Sequence, residues 1–211
     1  MKISRRLSLV LLLLLAGQSP ARADVWIGTF NDDWFFQGNW NIFDGPPGAG
    51  ETATLPADSD GVFPITRTDI ALSASTQIAL LNVRSPLNAQ YTLTGSNGAV
   101  LTATSGAEFD NADLQALNVH TLANLRLNTP RVSIYDNAIL SLNSGATITT
   151  DLIATAMNGR VDINNGASVQ TLRYNMDAAT GEFRVNSGGE LRVAGDTKLI
   201  RGTTTINSGG Q

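Results

Sequence analysis

Catalysis or ligand capture needs groups that move protons, bind cations or stack on a substrate, and this 211-residue chain has few of them. It has one histidine, His120, and no cysteine, which removes thiolate metal sites, iron–sulfur clusters and a cysteine nucleophile. The nearest approach to an acid–base cluster is Asp110 and Asp113, in Phe109-Asp110-Asn111-Ala112-Asp113, with His120 seven residues beyond Asp113. A glycoside hydrolase holds two carboxyls about 5–9.5 Å apart on one face, and this loose spacing does not demand that. The plainer reading is a turn at Asp110-Asn111 and a histidine at a strand edge, so no catalytic centre is expected. No Gly-x-Ser-x-Gly elbow, His-Glu-x-x-His pair or phosphate loop occurs.

Two other residue sets could meet a ligand. All three tryptophans, Trp26, Trp34 and Trp40, fall within residues 24–55 beside Phe30, Phe35, Phe36 and Phe43. Their faces could stack on sugar rings, or they could seal the first coil of a stacked fold, which is the expectation. The second set is a recurring motif: Leu142-Asn143-Ser144-Gly145-Ala146, Ile163-Asn164-Asn165-Gly166-Ala167, Val185-Asn186-Ser187-Gly188-Gly189 and Ile206-Asn207-Ser208-Gly209-Gly210. Repeated glycine loops can bind calcium when aspartate stands at a fixed offset. None does here, so Asn143, Asn164, Asn186 and Asn207, with the four glycines, are read as a turn ladder of stacked amides. No metal and no cofactor is expected.

The spacing of the motif describes what must carry it. Gly145, Gly166, Gly188 and Gly209 follow one another at intervals of 21, 22 and 21 residues. Before each turn, apolar positions alternate (Val161 and Ile163; Phe183 and Val185), and after it they return at Ile148, Val169 and Leu191. Period two marks a strand with one buried face, and Asn-Ser-Gly marks a turn. One such coil cannot bury its own apolar face, so coils must stack. The expected fold is all-β, a right-handed parallel β-helix (β-solenoid) with an aromatic N-terminal cap. Stacking would bring Arg160 opposite Glu182 and Asp162 opposite Arg184. An earlier copy is read at residues 99–109, with Gly106 in the place of Gly145. Residues 56–135 are less regular. Runs at 65–72, 76–84, 90–94 and 114–127 read as the first coils, separated by turns at Asp58-Ser59-Asp60-Gly61, Ser85-Pro86, Gly95-Ser96-Asn97-Gly98 and Thr129-Pro130.

Composition agrees. Charged residues are 15% of the chain against 22 Thr, 18 Asn and 20 Gly, a balance of strand surfaces and turns rather than of helical bundles. Residues 1–23 read as a cleaved signal peptide. Lys2, Arg5 and Arg6 precede an apolar run from Leu7 to Ala16 too short to span a bilayer, and Ala21-Arg22-Ala23 is a small-x-small cleavage site. Without that segment and its four basic residues, ten basic side chains face eighteen acidic ones. That charge of about −8 argues against nucleic acid or anionic lipid as a partner. The domain reading is signal peptide 1–23, capping segment 24–55 and coils 56–211, with no membrane insertion.

Trp26-Ile27-Gly28, Trp34, Asn39-Trp40 and Pro47-Gly48-Ala49-Gly50-Glu51-Thr52-Ala53-Thr54-Leu55 resemble the opening of many exported bacterial β-helix proteins. Among these are autotransporter-passenger-like surface proteins, and the later Asn-Ser-Gly coils resemble their passenger shaft. The resemblance implies export across a two-membrane envelope and a secreted or cell-surface location on a Gram-negative-type cell. It departs at the far end, where no outer-membrane barrel follows: the chain is either a fragment, the expectation from the stop at Gln211 in mid-motif, or is released by another route. Three functions stay open: a non-catalytic stalk, scaffold or adhesin, a carbohydrate-active β-helix enzyme, and a glycan-binding module using the tryptophans. Partners would be surface glycans or host and cell-surface molecules.

Overall fold

The computed structural model describes residues 23–41, 45–56, 68–85, 90–111, 117–176, 180–195, 198–199 and 202–211. The proposed signal peptide, apart from Ala23, lies outside them, as do Asp113 and the turn at 58–61.

Two parallel sheets build the molecule, joined alternately by the running chain, the architecture of a β-solenoid. The first contains β1 (Ala23–Val25), β2 (Thr52–Leu55), β4 (Thr76–Ser85), β6 (Val100–Asn111), β8 (Arg126–Ile134), β10 (Thr147–Thr155), β12 (Ser168–Met176) and β14 (Glu190–Val193), with β15 (Lys198–Leu199) also on β12. The second contains β3 (Asp69–Leu72), β5 (Thr92–Gly95), β7 (Asn118–Ala123), β9 (Ala138–Leu142), β11 (Arg160–Ile163), β13 (Glu182–Val185) and β16 (Thr203–Ile206). Each coil gives a short strand to one sheet and a longer one to the other. Its 21-residue step is visible in the pairing of Thr147 with Ser168 and of Ile139 with Arg160. The one 22-residue step gains its extra residue between Met176 and Glu182, at a corner, where pairing is not disturbed.

Register stacks like on like. Ile70, Leu93, Leu122, Leu142, Ile163, Val185 and Ile206 form one continuous column through the second sheet. Leu101, Leu127, Ile148, Val169 and Leu191 form another in the first. A fully buried aliphatic side chain contributes roughly 1.5–3 kcal/mol, so these columns outweigh any surface pair.

The longer strands bend. In β8, β10 and β12 the inward positions are Leu127, Thr129, Val132 and Ile134; Ile148, Thr150, Ile153 and Thr155; and Val169, Thr171, Tyr174 and Met176. The alternation therefore skips a place after each of the stacked threonines. Each threonine hydroxyl donates across the skip to the carbonyl two residues on: Thr129 to Arg131 (3.1 Å), Thr150 to Leu152 (3.0 Å) and Thr171 to Arg173 (2.6 Å). The sequence reading took Thr129-Pro130 for a turn between strands. It is this bend inside β8, and Pro130 occupies the skipped place, where a missing N–H costs the ladder little.

Gly106 also differs from expectation. It lies within β6 opposite Leu80 of β4, in the other sheet from Ala138–Leu142. Counting back from the pairs Val100–Arg126 and Arg126–Thr147, the place of Gly145 is held by Asn124 one coil earlier and by Gly98 before that. Asn124 has φ +50° and Gly98 φ +72°, matching the +76° of Gly145, and asparagine tolerates that left-handed backbone better than other residues with a Cβ.

At this corner the side-chain amides of the motif join from coil to coil. Asn164 Nδ2 donates to Asn143 Oδ1 (3.0 Å), Asn186 to Asn164 (2.7 Å) and Asn207 to Asn186 (2.6 Å). Beside them a backbone chain runs the other way, from the N–H of Gly145 to Gly166 (3.0 Å), Gly166 to Gly188 (2.9 Å) and Gly188 to Gly209 (3.0 Å). The opposite corner carries a shorter version, Asn158 Nδ2 to Asn137 Oδ1 (2.7 Å), with both residues at positive φ. Asn164 bonds on both sides and also reaches Ser141 Oγ (3.0 Å). Asn164→Ala is therefore expected to lower unfolding stability by about 1–2 kcal/mol, and Asn207→Ala, which breaks one ladder bond, by less than half of that. Urea titration of the two variants checks it, and equal losses would contradict an energetic role for the ladder.

Candidate functional site

The tryptophans are the first candidates. Residues 26–41 fold over β3 at the edge of the second sheet: Trp34 N–H bonds to Ala71 O (3.0 Å) and Ala71 N–H to Asp32 O (2.7 Å). A strand edge covered in this way no longer offers unpaired backbone groups. Trp26, Trp34 and Trp40 are 0% exposed. They pack edge to face, Trp26 on Trp40 at 5.3 Å and Trp34 on Trp40 at 4.8 Å, with ring planes 80° and 74° apart. No tryptophan face is open to a sugar. The rings extend the core, and Trp40 Nε1 donates to Trp34 O (2.8 Å).

Asn39 holds this segment together, a role not read from the sequence. It is fully buried in a single 3-10 turn (Gln37–Asn39). Its Oδ1 accepts from Phe30 N–H (3.1 Å) and Asn31 N–H (3.3 Å), and its Nδ2 donates to Asn31 Oδ1 (2.7 Å) and Asp33 O (2.9 Å). The only hint was an asparagine between Gly38 and Trp40.

Of the acid–base candidates, Asp113 lies outside the described residues, and the side chains of His120 and Asp110 face opposite ways. The register pairs His120 of β7 with Leu140 of β9, so the ring points into the core and not to a strand edge as the sequence suggested. It is 0% exposed, stacked near Tyr91 (centroids 6.2 Å) and tilted toward Phe109 (5.9 Å). Burial lowers its pKa from 6.5 to about 4, only partly offset by a hydrogen bond with the Asp110 backbone. A base that cannot reach solvent and stays neutral at pH 7 is a core residue. Asp110 itself faces outward from β6 beside Arg84, with Nε to Oδ2 3.8 Å. Its carboxyl meets Asp136 of the next corner. Burial, and then the Asp110 charge and hydrogen bond, raise the Asp136 pKa.

On the second sheet, Asp162 and Glu182 are engaged by arginines. Arg160 faces Glu182 and Asp162 faces Arg184 in register, as anticipated. The close bonds nevertheless run within each strand, Arg160 to Asp162 (2.9 Å) and Arg184 to Glu182 (2.7 Å). Residues two apart on a strand share a face, and the long arginine lies along it. The cross-coil attraction persists more weakly: Glu182, by hydrogen bond first, and then Asp162 raise the Arg184 pKa. Among the described residues no group of three or more histidines and acids is placed to hold a metal ion, and no helix is long and apolar enough to cross a membrane.

No family model, curated protein or solved structure matches the chain.

Two outcomes follow from this geometry. Asn39→Ala strips acceptors and donors from a buried site and is expected to cost about 1–3 kcal/mol, seen as a lowered thermal midpoint with tryptophan fluorescence shifted to the red. His120 binds a proton in the unfolded chain near pH 6.5 but in the folded one only near pH 4. Stability therefore falls as pH drops from 6.5 through about 4, by about 3 kcal/mol in total. His120→Leu, matching Leu140 beneath it, should flatten that part of the stability–pH curve, and an unchanged slope would show that other groups set it.

Proposed function

We propose that the chain is a non-catalytic β-solenoid of a secreted or cell-surface protein, serving as stalk, scaffold or adhesin-like shaft. The burial of the three tryptophans and of His120 carries this reading. The three tryptophans and the single histidine are spent on the core, and the arginines on the second sheet engage their neighbouring acids. Much of the outer surface is Thr, Asn, Ser and short ion pairs, each exposed pair worth no more than about 1 kcal/mol.

Export is supported by the basic-then-apolar start of the sequence and its small-x-small site. The absence of cysteine suits a rod stabilised by stacking rather than by disulfides. The resemblance to autotransporter-passenger-like proteins points the same way. The enzyme reading is disfavoured by the burial of His120.

Two measurements test the proposal. In a two-membrane bacterium, mass spectrometry of the full chain should find the mature N-terminus at Asp24, and proteases added to intact cells or medium should reach it. Retention in the cytoplasm with Met1 in place would refute export. Incubation with a panel of plant and bacterial polysaccharides should release no new reducing ends, and any release that survives repurification would refute the non-catalytic reading.

A further inference from the structure

The outward side of the bend in the first sheet has no part in holding the fold. A shallow groove enclosing about 620 Å³ runs along it, across β8, β10, β12 and β14. One wall is the column Asn128, Thr149, Gln170 and Arg192, which the register stacks in four consecutive coils. Pro130, Asp151, Leu172 and Ala194 line the other wall, and Leu172 is 49% exposed. Between the walls runs the backbone of the bend at Thr129, Thr150 and Thr171, whose nearly buried hydroxyls are committed to its carbonyls.

We infer that this groove binds an extended, uncharged, linear polysaccharide along the solenoid axis. Four features select that ligand. The walls differ in kind: one offers amides, a hydroxyl and a guanidinium, the other is largely apolar, and a pyranose ring likewise has a hydroxyl edge and a C–H face. The hydrogen-bonding rungs repeat at the strand spacing of about 4.8 Å, and an extended pyranose chain advances by nearly the same step per ring. Four rungs thus match about four sugar units. The lining carries one carboxylate, Asp151, and one guanidinium, Arg192, which is already paired with Glu190, so the groove has no run of like charge to hold a polyanion or a polycation. Finally, the backbone of β10 and β12 is paired on both sides, which leaves no edge for a peptide strand to join. The inference rests on the solenoid alone and not on where the protein resides.

Calorimetric titration with linear β-1,4-linked xylo-oligosaccharides of two to six units tests it, alongside polygalacturonate and the variants Gln170→Ala and Leu172→Asp. Affinity should rise with each added unit up to four and then level off. Gln170→Ala should weaken binding about five-fold, the loss of one hydrogen bond. Leu172→Asp should abolish binding, while both variants keep the wild-type thermal midpoint because neither side chain faces the core. The inference is overturned if the folded wild type does not bind the six-unit chain saturably, if both variants bind as wild type, or if polygalacturonate is preferred. Shortening of the xylo-oligosaccharides during titration would instead refute the non-catalytic reading and leave the groove assignment intact.

Discussion

A single coil of this chain has an apolar side and nothing to set it against, because about 21 residues cannot enclose a core. Only parallel, in-register pairing with the coils on either side supplies one, and every other feature inherits that requirement. It makes Leu142 sit over Ile163 and Val185, and it makes any residue at a given place in one coil answer for its equivalent in the next. A slip of one residue would turn each strand inside out. The corners prevent that slip. Amides at Asn143, Asn164, Asn186 and Asn207 bond only when coils are level, and the glycine N–H groups beside them bond only in the same alignment. The two rows point in opposite directions, so their dipoles oppose rather than accumulate along the rod.

How far the sequence disclosed this depends on which part of a coil is free to change length. Between the glycine turns from Gly145 onward the steps are 21 or 22 residues, and the motif alone reveals the stacking and the facing of Arg160 with Glu182. Upstream the step from Leu93 to Leu122 is 29 residues and that from Val100 to Arg126 is 26, because the corners there are longer. The inward columns continue unbroken through them, but a pattern sought at constant spacing misses this, and Gly106 was matched to the wrong turn for that reason. Asn124 hid the true equivalent by replacing glycine with the other residue that accepts a left-handed backbone.

Side-chain roles were harder to read than coil positions. Nothing in the composition distinguishes a threonine that bridges a bend from one on an open face, although Thr129, Thr150 and Thr171 recur at 21-residue intervals. His120 looked like an edge residue because histidine is polar. Its place was decided by strand phase: it stands two residues before Leu122 and shares that face. The arginines were assigned partners across coils, where the register does put them, but an arginine reaches two places along its own strand as easily, so the pairs closed locally.

The division between inward and outward positions also sets which residues are free to vary without cost to folding. Every inward column is close-packed, and removing a methylene there carries a cavity cost as well as a transfer cost. Outward columns carry no such penalty. Asn128, Thr149, Gln170 and Arg192 occupy equivalent places in four coils yet share neither charge nor shape, whereas the column through Leu127, Ile148 and Val169 stays aliphatic. A fold stabilised by repetition within can therefore vary without, one rung at a time, at a spacing set by the backbone. Such a surface is suited to a ligand that is itself a repeating chain, since each coil then contributes one equivalent contact.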